Sequence, residues 1–305
     1  MKTKIRFFEV GPRDGLQNEE AIVDTSQRVE MIQRLVRAGV KDVEIGSFVH
    51  PKWVPQMAGT DEVAKRLTRV SGVRYWGLVP NLKGLRRAVD CQVEHVALFM
   101  SATEAHNQSN LNRSLSESLE ALEETAKAAQ SEGMTIRAYI STAFGCPFEG
   151  KVDFDVVLSI GEKLLELGAE HLSLGDTIGA GSPQEVARGC SRAVESFGAE
   201  KVALHLHDTQ GLALPNALMA YQQGVRLFDG AIGGMGGCPY APGAAGNVAS
   251  EDLLNMLGQM GGESGIEPGD LCEVVEWLGR SLSFTVRGRY FDYWRAKLRE
   301  QGAGA

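Results

Sequence analysis

Two histidines separated by one residue, His205 and His207, are the first candidates for chemistry in this sequence. They lie in segment 202–207, where apolar and polar residues alternate as they do in a β-strand. Side chains two positions apart in a strand point to the same face, so the two imidazoles should lie side by side. Paired imidazoles can bind a divalent metal ion. The alternative is a pair of interior histidines that are hydrogen-bonded to their neighbours.

A glycine-rich segment further along the chain carries one cysteine and one asparagine. Six of the fourteen residues from 233 to 246 are glycine, and the segment lacks the GK[ST] of a phosphate-binding loop. Such a segment packs poorly, so we predict a mobile lid in which Cys238 supplies an acid or a nucleophile. Asn247 closes the segment. It is either the cap of the next helix or a metal ligand through its amide oxygen.

Charged residues near three other predicted strands complete the candidate catalytic set. Arg13 and Asp14 follow the first strand, Glu44 lies within the second, and Asp176 ends the sixth. A carboxylate beside two imidazoles suits an octahedral cation, which indicates Mg2+ or Mn2+ rather than a closed zinc site. The guanidinium of Arg13 suits a substrate carboxylate or an enolate oxygen, with a surface ion pair to Asp14 as the alternative. Glu44 is otherwise a structural acid, and Asp176 the cap of a turn.

The substrate-binding residues are predicted around the first two strands. Segment 47–57, SFVHPKWVPQM, contains two prolines and a tryptophan and indicates a rigid binding edge. We predict that Gln17, Ser47 and Lys52 contact the substrate together with Arg13.

The elements that must position these residues recur along the chain as strand, loop and helix. Strands are predicted at 5–10, 42–48, 74–79, 95–100, 135–142, 171–175, 202–207 and 228–233. Helices are predicted at 26–38, 61–70, 82–91, 115–131, 153–167, 183–197, 212–223 and 251–260. Eight such units, about 32 residues apart on average, are typical of parallel βα repeats. An α/β fold in the form of a closed (β/α)8 TIM barrel accounts for all of them.

An open, doubly wound sheet is the main rival to the barrel. Its first turn would usually carry GxGxxG, whereas this sequence has GPRDG at 11–15. In a barrel, catalytic residues lie at the C-terminal ends of the strands, and the candidate residues fall there. We predict a single domain over 1–305, with a barrel core at 1–260 and a helical extension at 261–305. Residues 269–300 would form one or two helices with a break at 287–290.

Composition narrows the functional classes. The net charge of −8 argues against nucleic-acid binding, which needs a basic surface. No run of about 18 apolar residues predicts a membrane span, and the N-terminus shows no signal peptide. The five cysteines are widely spread without a CxxC pair, which indicates neither disulfides nor a zinc-thiolate site and favours the cytoplasm.

Four segments together resemble the 3-hydroxy-3-methylglutaryl-CoA lyase family. They are EVGPRDGLQNE at 9–19, SFVHPKWVPQM at 47–57, SLGDTIG at 173–179 and GGCPYAPGAAGN at 236–247. The resemblance extends over about residues 5–260. It implies cleavage of 3-hydroxy-3-methylglutaryl-CoA to acetoacetate and acetyl-CoA. We also expect a homodimer.

The resemblance also assigns roles. It implies a divalent cation held by Asp14, His205, His207 and Asn247. It implies a catalytic set of Arg13, Glu44, Asp176, His205 and Cys238, in which either Asp176 or His205 is the base.

Two segments depart from the animal members of this family. Segment 99–108 is more similar to some bacterial members, and the tail from 290 to 295 does not match. The alternatives are therefore a lyase for a longer 3-hydroxy-3-alkylglutaryl-CoA, or a related acyl-CoA condensing enzyme. A non-catalytic metal-binding or acyl-CoA-binding barrel would not need a cysteine on a glycine-rich loop.

Overall fold

Eight parallel strands form a closed barrel in the computed structural model, which describes residues 2–238, 241–282 and 284–302. Each strand pairs with the next along the chain, and the last pairs with the first from Arg6↔Leu227 to Glu9↔Gly230. The strands are β1 (Arg6–Glu9), β2 (Asp42–Ser47), β3 (Arg74–Leu78), β4 (His95–Ser101), β5 (Thr135–Ser141), β6 (Ala169–Asp176), β7 (Val202–Leu206) and β8 (Leu227–Gly230). The barrel prediction is confirmed.

Helices surround the barrel. They are α1 (Thr25–Arg37), α2 (Thr60–Arg66), α3 (Leu82–Asp90), α4 (Glu104–Leu111), α5 (Leu115–Ser131), α6 (Phe154–Glu166), α7 (Pro183–Phe197), α8 (Ala213–Gln222) and α9 (Ser250–Gln259), followed by α10 (Pro268–Leu282) and α11 (Arg289–Gly302). All eight predicted barrel helices are present. Helix α4 was missed, because it is short and mostly polar and buries only His106 and Asn107.

Local sequence explains where several helices begin. Ser114 and Ser182 each accept a hydrogen bond from the backbone N–H three residues on, and the carboxylates of Glu117 and Glu185 accept one from the N–H of the cap serine. These reciprocal contacts satisfy N–H groups that the first turn of a helix leaves unpaired. Pro183 adds a fixed φ at the first position of α7.

The interior of the barrel is partly charged rather than uniformly apolar. One layer is apolar and consists of Phe8, Trp76, Ala203 and Leu227. Near the N-terminal end of the strands, the buried Asp42 accepts hydrogen bonds from Arg6, Arg74 and the indole of Trp76. A second group of charges lies at the opposite end of the strands.

The C-terminal extension supports the glycine-rich segment. After α10, the N–H of Arg287 donates to the carbonyl of Gly233 at 3.0 Å, and its Nη1 donates to the carbonyl of Gly236 at 3.0 Å. The segment itself forms an antiparallel pair between Gly237–Cys238 and Ala241–Ala245. The extension thus contacts the loop that was predicted to carry a catalytic cysteine. Among the described residues, no helix is long and apolar enough to cross a membrane.

Candidate active site

A wide helical turn over Gly11–Gly15 places Arg13 and Asp14 at the mouth of the barrel. The N–H groups of Arg13, Asp14 and Gly15 all point to the carbonyl of Val10, at 3.0, 2.7 and 3.3 Å. A Cβ at Gly15 would lie 2.8 Å from the Cβ of Met235, so a side chain there would push the turn away from the glycine-rich segment. Both functional side chains are buried, with 5% of Arg13 and 7% of Asp14 exposed.

The histidine pair of β7 faces Asp14 across the mouth. The two rings lie 5.3 Å apart between centroids. Nε2 of His205 is 3.8 Å and Nε2 of His207 is 3.7 Å from Oδ2 of Asp14. One ligand atom from each of the three residues lies within 4.8 Å of the other two, which is close enough for all three to bind one ion. The prediction that these three residues converge is confirmed by the geometry.

Asn247 joins this cluster through the backbone. The segment after the hairpin runs antiparallel to the end of β7, with His207 paired to Asn247 and the N–H of Val248 bonded to the carbonyl of Leu206 at 3.0 Å. Nδ2 of Asn247 donates to Oδ2 of Asp14 at 2.9 Å. Its buried Oδ1 has no hydrogen-bond donor within the described part of the chain. A cation would satisfy this oxygen, so the donor set fits a divalent metal ion.

Glu44 holds Arg13 from below. Its Oε2 accepts from Nε of Arg13 at 2.5 Å, and its Oε1 accepts from the hydroxyl of Tyr139 at 2.5 Å. Nη1 of Arg13 donates to Asp14. In the described residues Nη2 makes no hydrogen bond, and it is therefore the donor available to a substrate. Gln17 donates to Oδ1 of Asp14 at 2.9 Å, so this predicted substrate-binding residue contacts one of the candidate metal ligands.

The carboxyl groups of Asp14 and Asp176 differ in pKa. Burial by itself would raise the pKa of Asp14, but Arg13 and the two histidines outweigh it and hold this pKa well below its ordinary value. Burial raises the pKa of Asp176, and hydrogen bonds from the N–H groups of Ala180 and Gly181 only partly oppose this. Asp176 therefore does cap its turn, and it also lies within electrostatic reach of both histidines.

The remaining predicted residues are less closely tied to the cluster. Ser47 is buried at the end of β2, and its Oγ accepts from the N–H of Val49 at 3.3 Å. Lys52 is exposed in the following loop. The side chain of Cys238 lies outside the described residues, although its backbone belongs to the hairpin.

Two buried carboxyl groups support the start of the glycine-rich segment. Oε1 of Glu9 accepts from the N–H of Ile232 at 2.9 Å, and Ser250 donates to its Oε2 at 2.6 Å. Oε2 of Glu251 accepts from the N–H of Gly233 at 3.0 Å. Burial raises the pKa of Glu9 to about 7 and that of Glu251 to about 8.

We expect Glu251→Gln to stabilise the protein at alkaline pH. The pKa of this carboxyl is 4.5 ordinarily and about 8 in the folded state, so folding binds a proton between these values. The free energy of unfolding therefore falls as pH rises from 4.5 to about 8. Glutamine stays neutral and keeps an acceptor for Gly233, so the variant should gain up to about 4 kcal/mol at the upper end of this range and nothing below it.

Urea unfolding at about pH 5 and pH 8 measures this effect. The control is Glu273→Gln, which alters an exposed carboxyl on α10. A variant whose stability follows the same pH dependence as the unaltered protein would contradict a protonated Glu251.

Sequence reasoning missed three residues beneath the cluster. Arg137 and Tyr139 lie two positions apart on β5, and Asp229 lies on β8. The signal was present, because strands of a parallel barrel are normally apolar and a charge in the middle of one needs a partner. The sequence did not show which opposite charge that partner would be.

The convergence of two imidazoles, a carboxylate and an amide at the C-terminal mouth is typical of metal-dependent (β/α)8-barrel enzymes. A family model described as HMGL-like matches residues 4–278. The hydroxymethylglutaryl-CoA lyase of Bacillus subtilis is 43% identical over 293 residues, which cover 96% of this chain and 98% of that relative. This chain therefore belongs to the hydroxymethylglutaryl-CoA lyase family and is a carbon–carbon lyase.

Solved structures give the same result. The crystal structure of the Bacillus subtilis HMG-CoA lyase matches with a TM-score of 0.94 at 43% identity, and covers 96% of this chain and 98% of its own. An HMG-CoA lyase of Acinetobacter baumannii, solved with coenzyme A and 3-methylmalate, matches with a TM-score of 0.89 at 38% identity. That match covers 94% of this chain and 93% of the other.

Proposed function

We propose that this chain cleaves 3-hydroxy-3-methylglutaryl-CoA to acetoacetate and acetyl-CoA with a bound Mg2+ or Mn2+. The observation that carries the proposal is the approach of Asp14, His205 and His207 to one another beside Arg13, whose Nη2 makes no hydrogen bond within the described residues. The named function of the relatives supports the same reaction. The Acinetobacter relative binds coenzyme A, which supports an acyl-CoA substrate.

The ligand set favours Mg2+ or Mn2+ as the cation. Asp14, His205 and His207 offer one carboxylate and two imidazoles without a thiolate, and Asn247 adds a buried amide oxygen. An octahedral ion bound by these four groups keeps open positions for substrate oxygens. A divalent cation there would lower the pKa of a coordinated hydroxyl and orient the bond to be broken.

The buried charges support a divalent cation. Four carboxylates, Asp14, Glu44, Asp176 and Asp229, lie in the same end of the barrel as two guanidiniums, Arg13 and Arg137. A bound divalent cation would offset this excess of two negative charges and so reduce the cost of burying them.

The base that removes the 3-hydroxyl proton is assigned to Asp176. If His205 binds the cation through Nε2, its other nitrogen, Nδ1, faces Asp229 at 3.3 Å and not the cation. Asp176 is not among the ligands, and burial raises its pKa, which makes its carboxylate a better base. The electron pair of the O–H bond forms the ketone of acetoacetate as the C2–C3 bond breaks.

Arg13 stabilises the second product as it forms. The electron pair of the broken C2–C3 bond passes to the thioester and yields the enolate of acetyl-CoA. Arg13, fixed by Glu44 and Asp14, has Nη2 available for that oxygen. A proton on C2 then completes acetyl-CoA, and we assign its delivery to Cys238.

We expect Cys238→Ser to lower kcat at least about 100-fold, because a serine hydroxyl is a much weaker acid than a thiol. Metal affinity and KM should be unchanged, since the cysteine acts only after binding. The matched control is Cys91→Ser at the end of α3, whose thiol contacts the backbone of Asp61 on the outside of the barrel. Near-normal turnover by Cys238→Ser would remove this cysteine from the mechanism.

The reaction itself is tested by incubating the purified protein with Mg2+ and 3-hydroxy-3-methylglutaryl-CoA and measuring acetoacetate, with and without a chelator. Acetoacetate that the chelator abolishes supports both the substrate and the metal. No acetoacetate from protein shown to bind the metal contradicts the proposed substrate. Longer 3-alkyl homologues, and acetoacetate with acetyl-CoA for the condensing direction, then distinguish the alternatives.

Two further expectations stay predictions. They are the homodimer and the cytoplasmic location. The relatives differ in location: a lyase of Danio rerio at 45% identity is named as cytoplasmic, and one of Bos taurus at 43% identity is named as mitochondrial.

A further inference from the structure

A buried acid lies directly behind one of the two histidines. Asp229 on β8 is the register partner of His205 on β7, so the two side chains share the inner face of the barrel. Oδ2 of Asp229 lies 3.3 Å from Nδ1 of His205. The other ring nitrogen, Nε2, faces Asp14 at 3.8 Å. His205 is therefore placed between two carboxylates, one at each ring nitrogen.

Asp229 is itself fixed from two further strands. Nη2 of Arg137 on β5 donates to both of its oxygens, at 2.8 and 3.0 Å, and the hydroxyl of Ser173 on β6 donates at 2.8 Å. Asp229 is 1% exposed, while Arg137 and Ser173 are fully buried. The carboxylate thus has little freedom to turn away from the imidazole.

The guanidinium of Arg137 does not find an acceptor for all of its N–H groups among the described residues. Its Nε and Nη1 are buried without an acceptor among the described residues, although Nη1 lies 3.7 Å from Glu44. Leaving donors unpaired in the interior costs free energy. Among the described residues, the hydrogen bonds that Arg137 does make go to Asp229, and they fix that carboxylate.

We propose that Asp229 is a positioning residue that keeps the proton of His205 on Nδ1, so that Nε2 presents its lone pair to the cation. Arg137 and Ser173 hold Asp229 in place for this purpose. A neutral imidazole carries its proton on one nitrogen only, and a carboxylate that faces Nδ1 at 3.3 Å favours the proton there. The inference rests on the proposed metal site and assigns it a supporting layer that spans β5, β6 and β8.

The exchange of Asp229 for asparagine tests the proposal because it removes the negative charge that faces Nδ1 of His205. Arginine has only donors, and Nη2 of Arg137 contacts both carboxylate oxygens, so one end of the new amide meets an unsuitable partner. The asparagine therefore holds the proton on Nδ1 less firmly, and the share of His205 with its proton on Nε2 rises. An imidazole in that tautomer cannot bind a metal through Nε2.

The first measurement is calorimetric titration of metal-free protein with Mn2+. We expect D229N to raise the Kd for Mn2+ by about 10–100-fold. The matched control is D42N, which also alters a buried carboxylate held by arginines, Arg6 and Arg74, but at the other end of the barrel. It should lose stability without a change in the Kd. Equal Kd values for D229N and the unaltered protein would overturn the proposal.

The second measurement uses the unaltered protein, so it does not depend on a variant that folds. Nitrogen-15 NMR of histidine-labelled, metal-free protein at about pH 8 shows which ring nitrogen of His205 carries the proton. Protonation at Nδ1 supports the proposal, and protonation at Nε2 overturns it. If the unaltered protein binds no Mn2+, the proposed metal-dependent reaction fails, and the tautomer still decides the role of Asp229.

Discussion

Replacement of Arg13 by lysine is expected to lower kcat by about 10²–10³-fold while the protein remains folded and binds metal. The guanidinium donates from Nε to Glu44 and from Nη1 to Asp14, and this leaves Nη2 for the developing enolate oxygen. An ammonium is a single point with three donors on one atom, so it cannot hold both carboxylates and the substrate in this planar arrangement.

The comparison that isolates this effect is Arg74→Lys. Arg74 also contacts a buried carboxylate with two donors, at 2.6 Å each to Asp42, but it lies at the N-terminal end of the barrel. Both variants should lose similar stability in urea, whereas only Arg13→Lys should lose kcat. Retained turnover in Arg13→Lys would contradict enolate stabilisation by Arg13. An equal loss of kcat in Arg74→Lys would mean that the loss comes from a weakened fold.

Replacement of His207 by alanine is expected to have the largest effect of all. Its Nε2 lies 3.7 Å from Oδ2 of Asp14, and no other imidazole than His205 is close to that point in the described residues. Loss of the cation removes several kcal/mol of charge stabilisation, which corresponds to at least about a thousandfold loss of activity. Asp14→Asn should act in the same direction, since it removes the only negative charge of the ligand set.

Elemental analysis after dialysis, together with Mn2+ titration, measures metal binding directly rather than through the loss of activity. His50→Ala is the control, because His50 is exposed in the loop after β2 and its ring accepts a hydrogen bond from the N–H of Lys52 in the same turn. Full metal content in both His207→Ala and Asp14→Asn would exclude these residues from the ligand set. Partial activity at high metal concentration in Asp14→Asn would instead agree with weakened binding.

The fold was predictable because a barrel repeats one local unit. Apolar runs of five to eight residues alternate with amphipathic helices, and the parallel connection leaves few arrangements open for eight of them. The ends of the elements were less certain. The eighth strand was predicted to reach Gly233 but ends at Gly230, because pairing with β1 stops there and a tight turn begins at Ile232. Strand ends depend on the neighbouring strand, which lies far away in sequence.

The candidate metal site was predictable because it also follows from the barrel. Any residue at the C-terminal end of a barrel strand faces the same mouth, so Asp14, His205 and His207 had to approach one another once the barrel was accepted. Asn247 was predicted with two alternative roles. The structure places it beside the cluster, because its segment pairs with the end of β7.

The repeating units, the barrel and the residue types at its mouth follow from the amino-acid sequence, because they depend on periodicity and on the fixed direction of parallel strands. The contacts that hold those residues in place depend on the folded chain. Arg13 is clamped by Glu44, His205 is backed by Asp229 and Arg137, and the glycine-rich segment rests on Glu251 and Arg287. These partners come from strands and helices remote in sequence, and a buried charge finds its partner through three-dimensional packing, which no local pattern encodes.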